Sequence, residues 1–267
     1  MTKQSNVFND TSSEESRRTG VGSGAYIAGA VMKASAIAPR DIIDGLPEEL
    51  LRWLHEDLDR RTSPRLLTHQ MSQVDFEAIV VDRLFPLRDS RGFIRQLRSH
   101  CQATATAAGM LAEIRRHSTR VASVCGWLHD VGIASCIRHA DEVAPVANDD
   151  ALTALWPTIL RSSAQHAIRL ASRWRLPSAI RHAIRAHESF VTAGSSNPLV
   201  ATTVLAEYVA ELIEHKFHEP VPALAVDRAL AVLQLGEGDV LNVAARTEKL
   251  LRHARQASPT SRIGWGA

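Results

Sequence analysis

Cysteine is scarce: the 267 residues hold three, Cys101, Cys125 and Cys136, an odd number with no C-x-x-C spacing. That excludes a disulfide framework and a zinc ribbon, and it fits a reducing compartment. Aromatic residues make up only 5% of the chain, and no stretch alternates apolar and polar residues as a half-buried strand requires. Charge of one sign is lacking too. Lys and Arg number 31 against 29 Asp and Glu, so no excess calls for nucleic acid or an anionic membrane surface. No apolar run reaches the roughly 20 residues of a membrane span. The longest candidate, 25–38, reads as a packed helix. The polar first two dozen residues contain no apolar signal segment, so a cytoplasmic location is expected. They end in a cluster of glycines at Gly20, Gly22 and Gly24, with no preceding strand and no following Gly-Lys-Ser/Thr, which reads as a linker and not a phosphate loop.

What the chain has in quantity is Ala, Leu and Arg, which favour helix, and twelve histidines, more than packing requires. An all-α, multi-helix bundle is expected, with a flexible tail over 1–24, an N-terminal helical region over 25–89, the principal helical domain over 90–257 and a short tail over 258–267. In the N-terminal region one helix starts at Pro47 and another at Ser72, the latter stopped by Pro86. Further helices are expected over 90–117 and from Ser118 or Thr119 to Asp130. Two more cover 150–160 and the run through His166 to Trp174. The last four cover 178–188, a run from Pro198 carrying Glu207, 222–235 and 239–257, with Gly236 and Gly238 separating the final pair.

The stretch that organises these elements is Cys-Gly-Trp-Leu-His-Asp-Val-Gly at positions 125 to 132. Its apolar helical pattern (Val121, Val124, Cys125, Leu128) reaches a glycine, which predicts that His129 and Asp130 meet at a helix C-terminal end. Adjacent helical residues point about 100° apart, so the two converge only on a point lying between them, and a metal ion can occupy it. A buried histidine beside a capping aspartate is the plain alternative. His100, His166, His187 and Glu207 lie on other predicted helices and complete a candidate constellation. Imidazole nitrogens with carboxylate oxygens suit Mn, Fe, Ni, Zn or Mg. The set also fits a two-metal site that hydrolyses phosphoesters without a protein nucleophile.

The segment from Arg98 to Ala112, followed by G-W-L-H-D-V-G at 126 to 132, resembles the H…HD signature of the HD superfamily of metal-dependent phosphohydrolases. The run from His166 to His187, with its W-R-L-P…A-I…H pattern, is similar more narrowly to the HDOD domain, an HD-related bacterial output module. The resemblance covers roughly residues 90–255. It implies that His100, His129 and Asp130 are first-metal ligands, with Glu207 where the family usually has Asp, and that His166 and His187 match the second-metal histidines of the related HD-GYP phosphodiesterases. Three departures weigh against turnover. Ile133 replaces the Lys of HD-x-G-K, Glu188 replaces the second histidine of a His-His pair, and no G-Y-P follows.

His55, His69, His117, His139, His182, His215, His218 and His253 lie among charged residues or near helix ends and read as solvated. Cys101 reads as a small core residue. The Arg-rich stretches 161–185 and 246–255 read as solvated helix faces, the first of them near enough to the site to receive a phosphate. The expected function is an HDOD-like signalling module, with a site that binds one or more divalent ions, does little or no chemistry, and sends its output through a signalling protein partner. The alternative is a metal-dependent phosphohydrolase acting on a nucleotide or phosphodiester ligand.

Overall fold

Two helices buried along most of their length organise the packing. In the computed structural model, which describes residues 92–143, 149–215, 217 and 219–257, these are α1 (Gly92–Ile114) and α6 (Pro198–Leu212). The α6 sequence is mostly apolar or small, and every residue from Val200 to Glu207 is buried, the arrangement expected of a central helix. In α1 the alanines at 103, 105, 107, 108 and 112 are buried and let neighbours approach closely. The remaining elements are α2 (Thr119–Leu128), α3 (Val131–Val143), α4 (Asp149–Arg173), α5 (Ser178–Ala186), α7 (Ala223–Leu233) and α8 (Glu237–Ala257). Among the described residues every regular element is an α-helix. α2, α6 and α8 pack on α1, α3 packs on α4, and α5 lies against α2, α4 and α6.

Two glycines set the closest approaches. A Cβ on Gly126 would stand 2.5 Å from the Ala105 Cα, so α2 rides directly on the α1 backbone. A Cβ on Gly132 would run into the Ser163 carbonyl, which presses α3 onto α4 in the same way. The His-Asp pair therefore lies in a two-residue joint between helices that are each held against a different neighbour.

Several expectations need correcting. Gly132 does not stop the chain: it is the second residue of α3, a helix absent from the sequence reading, whose first turn hangs on the Asp130 carbonyl through Ile133 and Ala134. The helices expected over 150–160 and through His166 are one continuous α4, with Pro157 inside it. The helix runs on past Leu160, whose carbonyl accepts from Ser163 Oγ at 2.8 Å. Gly238 is helical as well, because α8 starts at Glu237 with Asp239 Oδ2 accepting from the Gly236 N–H.

Other expectations match. Ser118 caps α2 by accepting from Val121, Pro198 starts α6, and Pro177 and Pro222 precede α5 and α7; the Asn197 cap of α6 is an addition. Cys101, Cys125 and Cys136 are all buried and unpaired. The tail 1–24, the segment 25–38, the helices placed at Pro47 and Ser72, the loop around Pro145, His55, His69, His218 and the tail 258–267 lie outside the described residues. No described helix is long and apolar enough to cross a membrane.

Candidate metal centre

The joint between α2 and α3 carries His129 and Asp130, and α1 brings His100 to meet them. All three are buried. His100 Nε2 lies 3.0 Å from His129 Nε2, and Asp130 Oδ2 lies 3.3 Å from His129 Nε2 and 3.6 Å from His100 Nε2. Two donors held at about 2.1 Å from one ion stand about 3.0 Å apart at a right angle and about 3.4 Å apart at the tetrahedral angle. The observed triangle has the dimensions of three ligands around one divalent cation.

The protons point the same way. His129 Nδ1 lies 2.8 Å from the Gly126 carbonyl and His100 Nδ1 lies 2.8 Å from the His215 carbonyl. A carbonyl only accepts, so each Nδ1 donates and each neutral ring keeps its lone pair on Nε2. Two lone pairs facing each other across 3.0 Å repel unless a proton or a cation lies between them. Burial by itself would make His129 harder to protonate. The adjacent Asp130 carboxylate, with Glu207 and the Gly126 carbonyl, outweighs that and raises its pKa above the usual histidine value. The same two carboxylates add to burial in pushing the Cys101 thiol well up, so it stays protonated as a core residue.

His187, at the end of α5, packs edge-on against His129 with ring centroids 5.4 Å apart, and its Nδ1 donates to the Ile184 carbonyl at 2.9 Å. Glu207, on α6, lines a cavity of about 590 Å³ together with Asp130, His187, Glu188, Glu219 and Ile133. A smaller cavity of about 260 Å³ shares Asp130, Ile133, His187 and Glu188 with it, and there Arg185 joins His129. Phe217 lies over His100 with ring centroids 6.2 Å apart, and it belongs to an edge-to-face cluster with Phe93 and Trp156 that shields the site.

His166 is not brought to this group. Ser163, Ala164, Ala167 and Ile168 are the α4 residues that face the smaller cavity, and the position before Ala167 turns His166 by about 100° toward α3. There its Nδ1 meets Ser135 Oγ at 3.1 Å and its ring lies 6.4 Å from that of His139. Burial, the neighbouring His139 and Arg169 lower its pKa from 6.5 to about 4. His139, read as solvated from sequence, is buried in this second pair. Two further contributors escaped the sequence reading. The Gly126 carbonyl could be found from its position three residues before His129, but the His215 carbonyl, far along the chain, leaves no trace in side-chain chemistry.

Residues 77–190 match the family model described as HDOD domain. That segment includes His100, His129, Asp130, His166 and His187, whereas Glu207 and His215 lie beyond it. No curated protein matches the chain. Among solved structures it is similar to the crystal structure of an HDOD domain protein with unknown function from Geobacter sulfurreducens, with 20% identity, a TM-score of 0.51, and coverage of 89% of this chain and 97% of that one. Identity that low speaks for the fold alone, and the fold agrees with the family match: residues 77–190 of the chain are similar to an HDOD domain.

Proposed function

We propose that this protein is a regulatory HDOD module whose buried His100, His129 and Asp130 hold a divalent metal ion and carry out little or no hydrolysis. The observation that carries the reading is the triad: three donor atoms from α1 and the α2–α3 joint, all within 4.8 Å of one another, with both histidine Nδ1 atoms committed to backbone carbonyls. What argues against turnover is the larger cavity. Asp130, Glu188, Glu207 and Glu219 line it, no Lys or Arg among the described residues does, and the buried Ile133 stands where a phosphate-binding cation would be useful. A phosphoester entering there meets carboxylates, and like charges at close range in a partly desolvated site repel by several kcal/mol, on the order expected for misplaced charge. The output of such a module is contact with a signalling partner.

A second reading, a metal-dependent phosphohydrolase, draws on one observation: Arg185 lines the smaller cavity beside His129 and His187 and offers a guanidinium to a phosphoryl group. A panel of nucleotides and phosphodiesters, assayed with Mn, Fe, Ni, Zn or Mg added to the purified chain, separates the two. The regulatory reading expects no product above a metal-only blank, and it expects Ile133→Lys to gain no turnover. Hydrolysis that His129→Ala and Arg185→Ala both abolish would transfer the assignment to the hydrolase.

A further inference from the structure

Behind His100, on the side away from the metal triad, a cavity of about 360 Å³ opens between α1, the end of α6 and α8. His215 forms its floor. The ring Nε2 lies 3.2 Å from Arg255 Nη2, and Nδ1 lies 2.6 Å from Ser99 Oγ. Arginine has only donors, so Nε2 accepts and the neutral imidazole carries its proton on Nδ1, which donates to Ser99 Oγ. The Ser99 hydroxyl hydrogen and the other N–H groups of Arg255 are left unspent, and both residues line the same cavity. Arg255 has no carboxylate partner among the described residues; its contact is a neutral ring. Arg252, beside it, is paired with Glu248 at 2.6 Å, which removes that acid from consideration, and the remaining lining carboxylate, Glu214, is exposed.

We propose that this cleft is an oxyanion site, taking a carboxylate or a phosphoryl group between the Arg255 guanidinium and the Ser99 hydroxyl, and that its occupancy is felt at the metal through His215. The site itself is independent of the metal reading; the coupling rests on it. The link is short. His215 follows Glu214, a left-handed residue at φ 63° that ends α6, and its backbone carbonyl accepts the His100 Nδ1 proton. An anion that draws Arg255 away takes the partner from His215 Nε2 and slackens the residue that holds the His100 ring in its metal-facing orientation. Bound anion therefore lowers metal affinity, and by reciprocity bound metal lowers anion affinity by the same factor.

The test uses the full chain, with sulfate and acetate as probes at constant ionic strength, titrated calorimetrically. Saturable binding of sulfate identifies a phosphoryl-type site and binding of acetate a carboxylate site; binding of neither overturns the proposal. Arg255→Ala should abolish binding and Arg255→Lys should restore part of it. Glu214→Gln should tighten it. Binding that survives Arg255→Ala places the anion elsewhere and overturns the proposal. For the coupling, saturating probe should weaken metal binding by about tenfold, the lower end of the effect of losing an outer-shell partner. Arg255→Ala should show that weaker affinity with or without probe. Equal metal affinity at zero and saturating probe overturns the coupling while leaving the anion site standing, and a parent chain that binds anion but no metal contradicts the metal reading alone.

Discussion

His100 Nε2 and His129 Nε2 face each other across 3.0 Å while each ring's other nitrogen is bonded to a backbone carbonyl. The two rings come from helices that touch at Gly126, so the spacing depends on how closely α2 approaches α1. Backbone packing and ligand geometry are here one structural fact.

Gly126→Ala should therefore damage stability and the site together. Its Cβ would meet backbone atoms of Thr104 and Ala105, which cannot move aside as a side chain can. The expected cost is about 3 kcal/mol or more, at the upper end for overpacking. Denaturant unfolding should report that loss, and metal affinity should fall along with it. Gly132→Ala, which drives α3 off the Ser163 carbonyl, should be at least as harmful. Parent-like stability in either variant would show that the helices can separate without penalty.

Acid should weaken the fold through His166. Its pKa is about 4 in the folded chain and 6.5 when unfolded, so the unfolded state binds the extra proton between those values. The contribution is intact above pH 6.5 and is lost as the pH falls toward 4, by up to about 3 kcal/mol. The comparison that isolates it is the pH slope of unfolding free energy for the parent against His166→Gln, which has nothing to protonate. A flatter slope in the variant is expected over that window; identical slopes would mean that His166 is solvated.

Helix ends offer a smaller and cleaner test. α1, α4, α6 and α7 each close with a left-handed residue, Arg116, Arg175, Glu214 and Gln234, followed by the paired backbone bonds of a Schellman turn, such as His117 N–H to the Ala112 carbonyl at 2.8 Å. Glycine is the usual occupant. Arg116 is exposed, so Arg116→Gly relieves left-handed strain without removing a buried contact and should raise stability by about 0.5 kcal/mol once the greater unfolded freedom of glycine is counted. A loss of stability on thermal melting would show that the arginine side chain is needed there.

The same helix ends explain what the sequence left hidden. No glycine marks those four left-handed stops, yet the ends expected at 117, Trp174 and 235 fall within three residues of those of α1, α4 and α7, whereas Gly132 looked like a stop and is a packing contact inside α3. The division expected after Leu160 is one that the long α4 does not make. The bundle class was legible because apolar periodicity survives such errors. His129, Asp130 and His100 were legible as a constellation because their chemistry resides in side chains. The side of α4 on which His166 lies depends on helix phase relative to α3, which is a tertiary matter. The part played by His215 is that of a backbone carbonyl and has no residue type to betray it.

The most direct measurement is metal content and affinity of the purified chain, titrated in turn with Mn, Fe, Ni, Zn and Mg, against His100→Ala, His129→Ala and Asp130→Ala variants verified as folded by circular dichroism. At least one of these ions should bind the parent near one equivalent per chain and raise its melting temperature, since a ligand present at a hundred times its Kd stabilises by about 2.7 kcal/mol. Each of the three substitutions should remove both the binding and the thermal gain. A folded parent that binds none of the five ions, or variants that bind as tightly as the parent, would contradict the assignment of His100, His129 and Asp130 as a metal centre.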